Sequence, residues 1–306
     1  MKFFLIFFLL VEILLAKEDN QTILELLSKN TEIPFEKPNY NFIEDINIYS
    51  NKTNNLLLYP KDKIKGMIFD NVAVDIGIAL WGYKYWGWGE KDFHFQTEPW
   101  FDYNSKTGGS DKTGHFYMTY LLSRVLSSRM EDRGYSLESS SLIGSLSGML
   151  SMTLLEVGDG TSEYGFSKED LIADGLGSIL AYLIRSNPRV DDFIDIRLEY
   201  LPTDNYVKNG DNTTDYSGMR HLIAFKLSGF NELNNSWLQF IELQTGYYSR
   251  GYRSIDTEPQ SQHLYFGIGI SLASLSKYYN VTPLNNLFEF YQPGHTYTDV
   301  DLWSRK

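Results

Sequence analysis

The sequence predicts an α+β chain, a helical bundle with small-residue helix packing followed by an antiparallel β-meander sheet. Two observations carry this. From residue 63 to 190, apolar and small residues recur every three or four positions, the period of a helix face. From 191 onward, apolar residues alternate with polar ones, the period of a strand. The layout expected is 1–16 as a signal peptide, 17–62 as an extended N-terminal segment, 63–190 as the helical region and 191–306 as the antiparallel β region.

The elements follow in order. Lys2, the run Phe3 to Leu15 broken only by Glu12, and small Ala16 resemble a secretory signal peptide, with an uncleaved N-terminal anchor as the alternative. Residues 17–62 are polar and carry Pro34, Pro38 and Pro60. They suggest an extended linker after a short helix over Thr22 to Ser28. Ile64, Ile68, Val72, Ile76 and Leu80 mark a first long helix, ending in Trp81, Trp86 and Trp88. Such an aromatic cluster suits either a membrane–water boundary or a core edge. Three further helices are expected over 111–130, 137–156 and 168–185. Ser110 is placed to cap the first of these and Ser167 the last. Gly144, Ser147, Gly148 and Ser151 let the middle one approach its neighbours closely. Pro188 is expected to end the bundle. Strands are then expected over Ile194–Tyr200, His221–Phe230, Leu238–Tyr248 and His263–Leu275.

Composition narrows the function. Net charge is −12, which argues against nucleic acid and against electrostatic adhesion to anionic lipid. With no cysteine in the sequence, disulfides, thiolate chemistry and Cys-type zinc sites are excluded. Asn20 and Asn234 each follow an acidic residue two positions earlier and precede x-Thr or x-Ser, an extended glycosylation pattern. No helical run reaches the roughly 20 apolar residues of a membrane span, and four or five strands are too few to close a membrane barrel. A bundle resting at a membrane surface remains compatible with the aromatic load.

Three pairs of polar residues at helical spacing carry the chemistry: Asp111 and His115, Glu156 and Asp159, Asp170 and Asp174. Residues three or four apart share a helix face, so three helices could aim six ionisable groups at one place. Buried groups of this kind need a partner, a hydrogen bond or a metal. Each also has a plainer reading: a helix-terminal Asp111, a satisfied His115, a turn-binding Asp159 and a dipole-stabilised Asp170. Asp174, one turn deeper among Leu171, Ile172 and Leu176, resists that reading. No P-loop, His-Glu-x-x-His or Gly-x-Ser-x-Gly motif occurs.

Taken together, Asp111-Lys112-x-x-His115-Phe116, Glu156 and Gly165-Phe166-Ser167-x-x-Asp170-x-x-x-Asp174-x-x-Gly177 resemble the YfiM-like family of bacterial envelope proteins, a domain of unknown function. A looser similarity is to VanZ-like proteins. The Phe95–Phe101 segment, Asp215-Tyr216-Ser217-Gly218 and Trp237-Leu238…Gly246-Tyr247 look like further segments of the longer relatives. The resemblance implies a periplasmic or outer-membrane protein, often lipid-anchored, and no established chemistry.

Three readings stand at this point. One is a membrane-associated structural or interaction protein organised by a buried polar cluster, with a membrane surface and a protein among its partners. Another is a hydrolase or transferase on an envelope lipid or cell-wall substrate. In that reading His115, Glu156 and Asp174 are catalytic, Asp111, Lys112, Asp159 and Asp170 bind ligand, and Lys112 or Arg124 holds an anionic group. The third is a metal- or small-ligand-binding module with mixed carboxylate and imidazole donors. The motifs name no cofactor and no particular metal.

Overall fold

A computed structural model describes residues 61–233, 236–253 and 256–306. The expected signal peptide, the segment before residue 61, the helix over 22–28 and both Asn-x-Ser/Thr sites lie outside these residues. Within them the chain is α+β.

Helix α1 spans Lys61–Tyr85, α2 Ser110–Asp132, α3 Leu137–Asp159 and α4 Lys168–Arg185. Between them a two-residue strand, β1 (Phe95–Gln96), pairs in parallel with β2 (Phe166–Ser167). This pairing pins the chain before α2 to the start of α4. Short helices α5 (Pro188–Phe193) and α6 (Asp204–Asn209) flank β3 (Ile194–Tyr200). The sheet then continues through β4 (Met219–Lys226), β5 (Ile241–Arg250) and β6 (Ser261–Ile270). Helices α7 (Leu272–Tyr278) and α8 (Thr282–Phe288) precede β7 (Tyr297–Arg305).

Close packing of α2 on its neighbours explains the small residues. A Cβ added at Gly144 would strike the backbone of Ser127, one at Gly148 that of Ser123, and one at Gly177 the carbonyl of Phe116. By length and composition α3 alone among the described helices could cross a membrane, yet half of its apolar window is buried in the bundle.

The sheet is a five-stranded antiparallel meander in the order β3-β4-β5-β6-β7. One face presents Ile196, Leu198 and Ile223 to Tyr117 and Tyr120 of α2 and Ile184 of α4. The opposite side of β3 is also buried, and it is polar. Arg197 is 1% exposed and binds Glu242 and Gln292 at 2.8 Å and Asp195 at 2.5 Å. Tyr291, outside the named strands, bridges Leu198 of β3 in parallel, and Phe290 O and Gln292 N bond the backbone of β3.

Several expectations are corrected. Ser110 does not cap α2. Gly109 holds the cap position in the left-handed conformation (φ 88°), and Ser110 Oγ instead meets Ser249 Oγ at 2.7 Å. Pro188 starts α5 rather than ending a helix; α4 has already stopped at Arg185. Residues 272–275 are helical, because Ser271 Oγ caps Ser274 N after β6 ends. Lys226 ends β4, and Leu227–Gly229 form a 3₁₀ turn. Strand β7 was not foreseen.

Candidate functional site

His115, on α2, stands at the centre of a cage of carboxylates from three helices. Its Nδ1 lies 3.2 Å from Asp174 Oδ1 and 3.6 Å from Glu156 Oε1. Its Nε2 faces Asp170 Oδ1 at 3.9 Å and Asp111 Oδ1 at 4.0 Å. Helical spacing produces this. Asp111 lies one turn before His115 on α2, and Asp170 and Asp174 lie one turn apart on α4. The tight glycine contacts bring α3 and α4 close enough for their carboxylates to reach the ring.

Each neighbour has its own support. Thr119 Oγ1 donates to Asp174 Oδ1 at 2.7 Å, while Asp174 Oδ2 is buried without a hydrogen-bond partner. Glu156 Oε2 accepts from Ser167 N at 3.0 Å. Ser167 caps α4 as expected, its Oγ accepting from Asp170 N at 3.2 Å. Tyr216 OH donates to Asp111 Oδ1 at 2.6 Å. Lys112 is 3% exposed and enclosed by Asp170 Oδ1 at 2.6 Å, Asp111 Oδ2 at 3.0 Å and Glu98.

The charge balance follows. Burial opposes ionisation of the His115 imidazole, but Asp170, Asp174 and Glu156 hold it well above its usual value. These carboxylates favour the protonated ring, an arrangement suited to proton donation. Burial pushes Glu156 up to about 9, only partly opposed by His115. It also pushes Asp159 up to about 7, and burial together with Asp111 takes Glu98 to about 7. Burial works against the ionised form of Asp111 too, but His115 and Lys112 win and hold its carboxyl well below the usual range.

The sequence-derived residues therefore separate into groups. Asp111, His115, Glu156, Asp170 and Asp174 come together. Lys112 joins them from the far side of Asp111 and Asp170, but its enclosure leaves it no face for an anionic ligand. Asp159 ends α3 and accepts from Trp88 Nε1 at 2.6 Å; it does not touch His115 among the described contacts. Arg124 is elsewhere, paired with Asp191 at 2.7 Å and lying over the rings of Tyr120 and Phe290, so it is no part of this centre. Glu98 and Tyr216 were not foreseen as members. Their signals were the Phe95–Phe101 and Asp215–Gly218 segments, noted without an assigned role.

Among the described residues two sets of donors could hold a metal ion: Asp111, His115 and Asp170, and His115, Glu156 and Asp174. In each set the donor atoms lie within 4.8 Å of one another. A cavity of about 410 Å3 opens beside the first set. Asp111, His115, Asp159, Tyr216 and His221 line it, and the rest of its wall is mainly apolar side chains from α1, α2, α3 and the sheet. Burial pushes His221 down to about 3, so it is a neutral imidazole there.

Residues 97–186 match the family model DUF2279, described as a predicted periplasmic lipoprotein. The match covers Glu98 and every caged residue, and it ends with α4. This chain thus resembles an uncharacterised bacterial envelope family, and the description agrees with an exported protein of the periplasm or outer membrane. No curated protein and no solved structure matches the chain.

Proposed function

We propose that this is an exported envelope protein that works at a lipid surface, its helical half organised by the buried His115 cluster. One observation carries the reading: the outward faces of neighbouring helices are apolar while the interior between them is polar. On α4, Ile172, Leu176, Ile179 and Leu183 form an exposed stripe. Leu142 and Leu146 do so on α3, and Phe69, Ile76 and Leu80 on α1. Inward, the same helices bury Asp70, Glu156, Asp170, Asp174 and a series of serines. Contiguous apolar surface of this kind marks an interaction site, and a lipid surface suits a chain resembling envelope lipoproteins. In this reading the exposed apolar faces of α1, α3 and α4 are what meets the lipid. Flotation of the purified protein with neutral phospholipid vesicles tests this. Co-flotation that persists in high salt is expected; recovery in the soluble fraction would remove the reading.

A second reading is favoured by the position of His115 on the cavity wall. There it would act as a general acid towards a bound lipid or cell-wall fragment, with Asp174 and Glu156 orienting the ring. Alternatively, a divalent cation would take the place of the protons on His115 and Glu156, using Asp174 as third ligand. A cation-induced thermal shift abolished by Asp174→Asn separates the two.

A further inference from the structure

The cavity differs in character from end to end. Ile78, Trp81 and Trp86 of α1, Leu122 of α2, Leu155 of α3 and Met219 of the sheet supply apolar wall. One end carries Asp111, His115, Asp159 and Tyr216. Gly77, Met118 and Asn212 belong to both the lining and the protein surface, and so stand at the mouth. A Cβ at Gly77 would meet nothing within 4 Å. The mouth adjoins Ile76 and Leu80, part of the exposed apolar stripe of α1.

We propose that this cavity binds the hydrocarbon chain of a single-chain amphiphile whose head group donates hydrogen bonds and carries no negative charge. Three observations select that class. Although Asn212, Thr213 and Thr214 also line it, most of the exposed wall is apolar, which suits a hydrocarbon chain better than a sugar or a nucleotide. Where Asp111 and Asp159 line the cavity, the Asp111 carboxylate repels a phosphate or carboxylate head and accepts from a hydroxyl or ammonium, and Asp159 adds no positive charge. Of the two cations that could reverse this, Lys112 is enclosed by Glu98, Asp111 and Asp170 and does not line the cavity, and His115, which does line it, turns both ring nitrogens towards Asp111, Glu156, Asp170 and Asp174 within 4.0 Å. The volume, about 410 Å3, lies within the range of small-ligand sites. The apolar surface at the mouth allows a chain to pass from lipid without crossing water. The inference names the ligand class of the second reading above, but binding here requires neither turnover nor vesicle adhesion.

Trp81 and Trp86 line the cavity, so bromine atoms on a bound chain will quench them. The probe is a monoacylglycerol with a dibrominated chain, titrated below its aggregation concentration into the full-length protein. Saturable quenching is expected, and it is expected to be lost in the Trp81→Phe/Trp86→Phe variant. Gly77→Phe places a ring across the mouth, and excluding about two methylenes weakens binding roughly tenfold or more. Should Gly77→Phe fail to fold by circular dichroism, Met118→Trp narrows the same opening and carries the comparison. The brominated fatty-acid anion of equal chain length is expected to bind more weakly than the glyceride. Quenching that does not saturate, equal affinity in a folded mouth variant, or tighter binding of the anion would each overturn the proposal. A variant that no longer floats with vesicles but still shows saturable quenching would separate this site from the lipid-surface reading.

Discussion

Replacing Leu146 and Leu176 together by serine should release the protein from neutral vesicles without unfolding it. Leu146 is 61% exposed and Leu176 52% exposed, so each still has over half of its surface to hide. Full burial of a leucine side chain is worth about 1.5–3 kcal/mol. The unburied part of each thus contributes about 1–1.5 kcal/mol when immersed, and about 2–3 kcal/mol is lost in the pair. That corresponds to a fall of roughly 30- to 100-fold in vesicle partitioning. Folding stability should change by no more than about 0.5 kcal/mol per site, as for ordinary surface positions. Partition coefficients from flotation, alongside urea midpoints for the same samples, provide the measurement. Because net charge is −12, the loss should be as large at high salt as at low. A double variant that floats like the parent while equally stable would refute the argument that these faces meet lipid.

Other outcomes follow from the cage and the packing. Glu156 keeps a proton up to about pH 9 when folded, against 4.5 ordinarily. The folded state therefore binds more protons than the unfolded one across that window, and stability falls as pH rises. His115, held well above 6.5, adds to the fall above that value. Asp111, held below 3.8, contributes stability that is lost only in strong acid. Urea midpoints from pH 5 to 9 should thus decline, and Glu156→Gln should flatten the decline; an unchanged slope would contradict the assignment. His115→Ala, which strips the buried Asp174 of its cation, should cost about 3–5 kcal/mol, as measured by denaturant unfolding. Gly148→Ala forces a methyl against the Ser123 backbone and should cost about 1–3 kcal/mol. Gly175→Ala, with open space around it on α4, should gain about 0.5–1 kcal/mol; thermal melts of the two variants show whether helix contact or helix propensity governs each site.

The helices were legible because their periods are long, and one boundary was chemically marked: Ser167 caps α4 where it was expected to, although Ser110 does not cap α2. The gathering of Asp111, His115, Glu156, Asp170 and Asp174 was legible from spacing alone, since a buried Asp174 demands a partner. Glu98 and Tyr216 were not, because each reaches the cage from a non-helical segment whose path no periodicity encodes. The burial of Arg197 was not foreseen, for a related reason. Alternation along Ile194–Tyr200 distinguishes two faces, but it does not reveal that both are covered. A charged residue on the polar face reads as solvated until the other strands are in place. Helix α7 was hidden because Ser271 turns the chain immediately after a strand whose apolar residues continue into it.

The pairing of residues 290–292 with β3 makes completion of the sheet depend on chain some ninety positions away from its first strand. Phe290 O also accepts from Tyr117 OH at 2.8 Å, so the same late segment fastens α2. Truncation before Phe290 would remove both this bond and the bridge to β3.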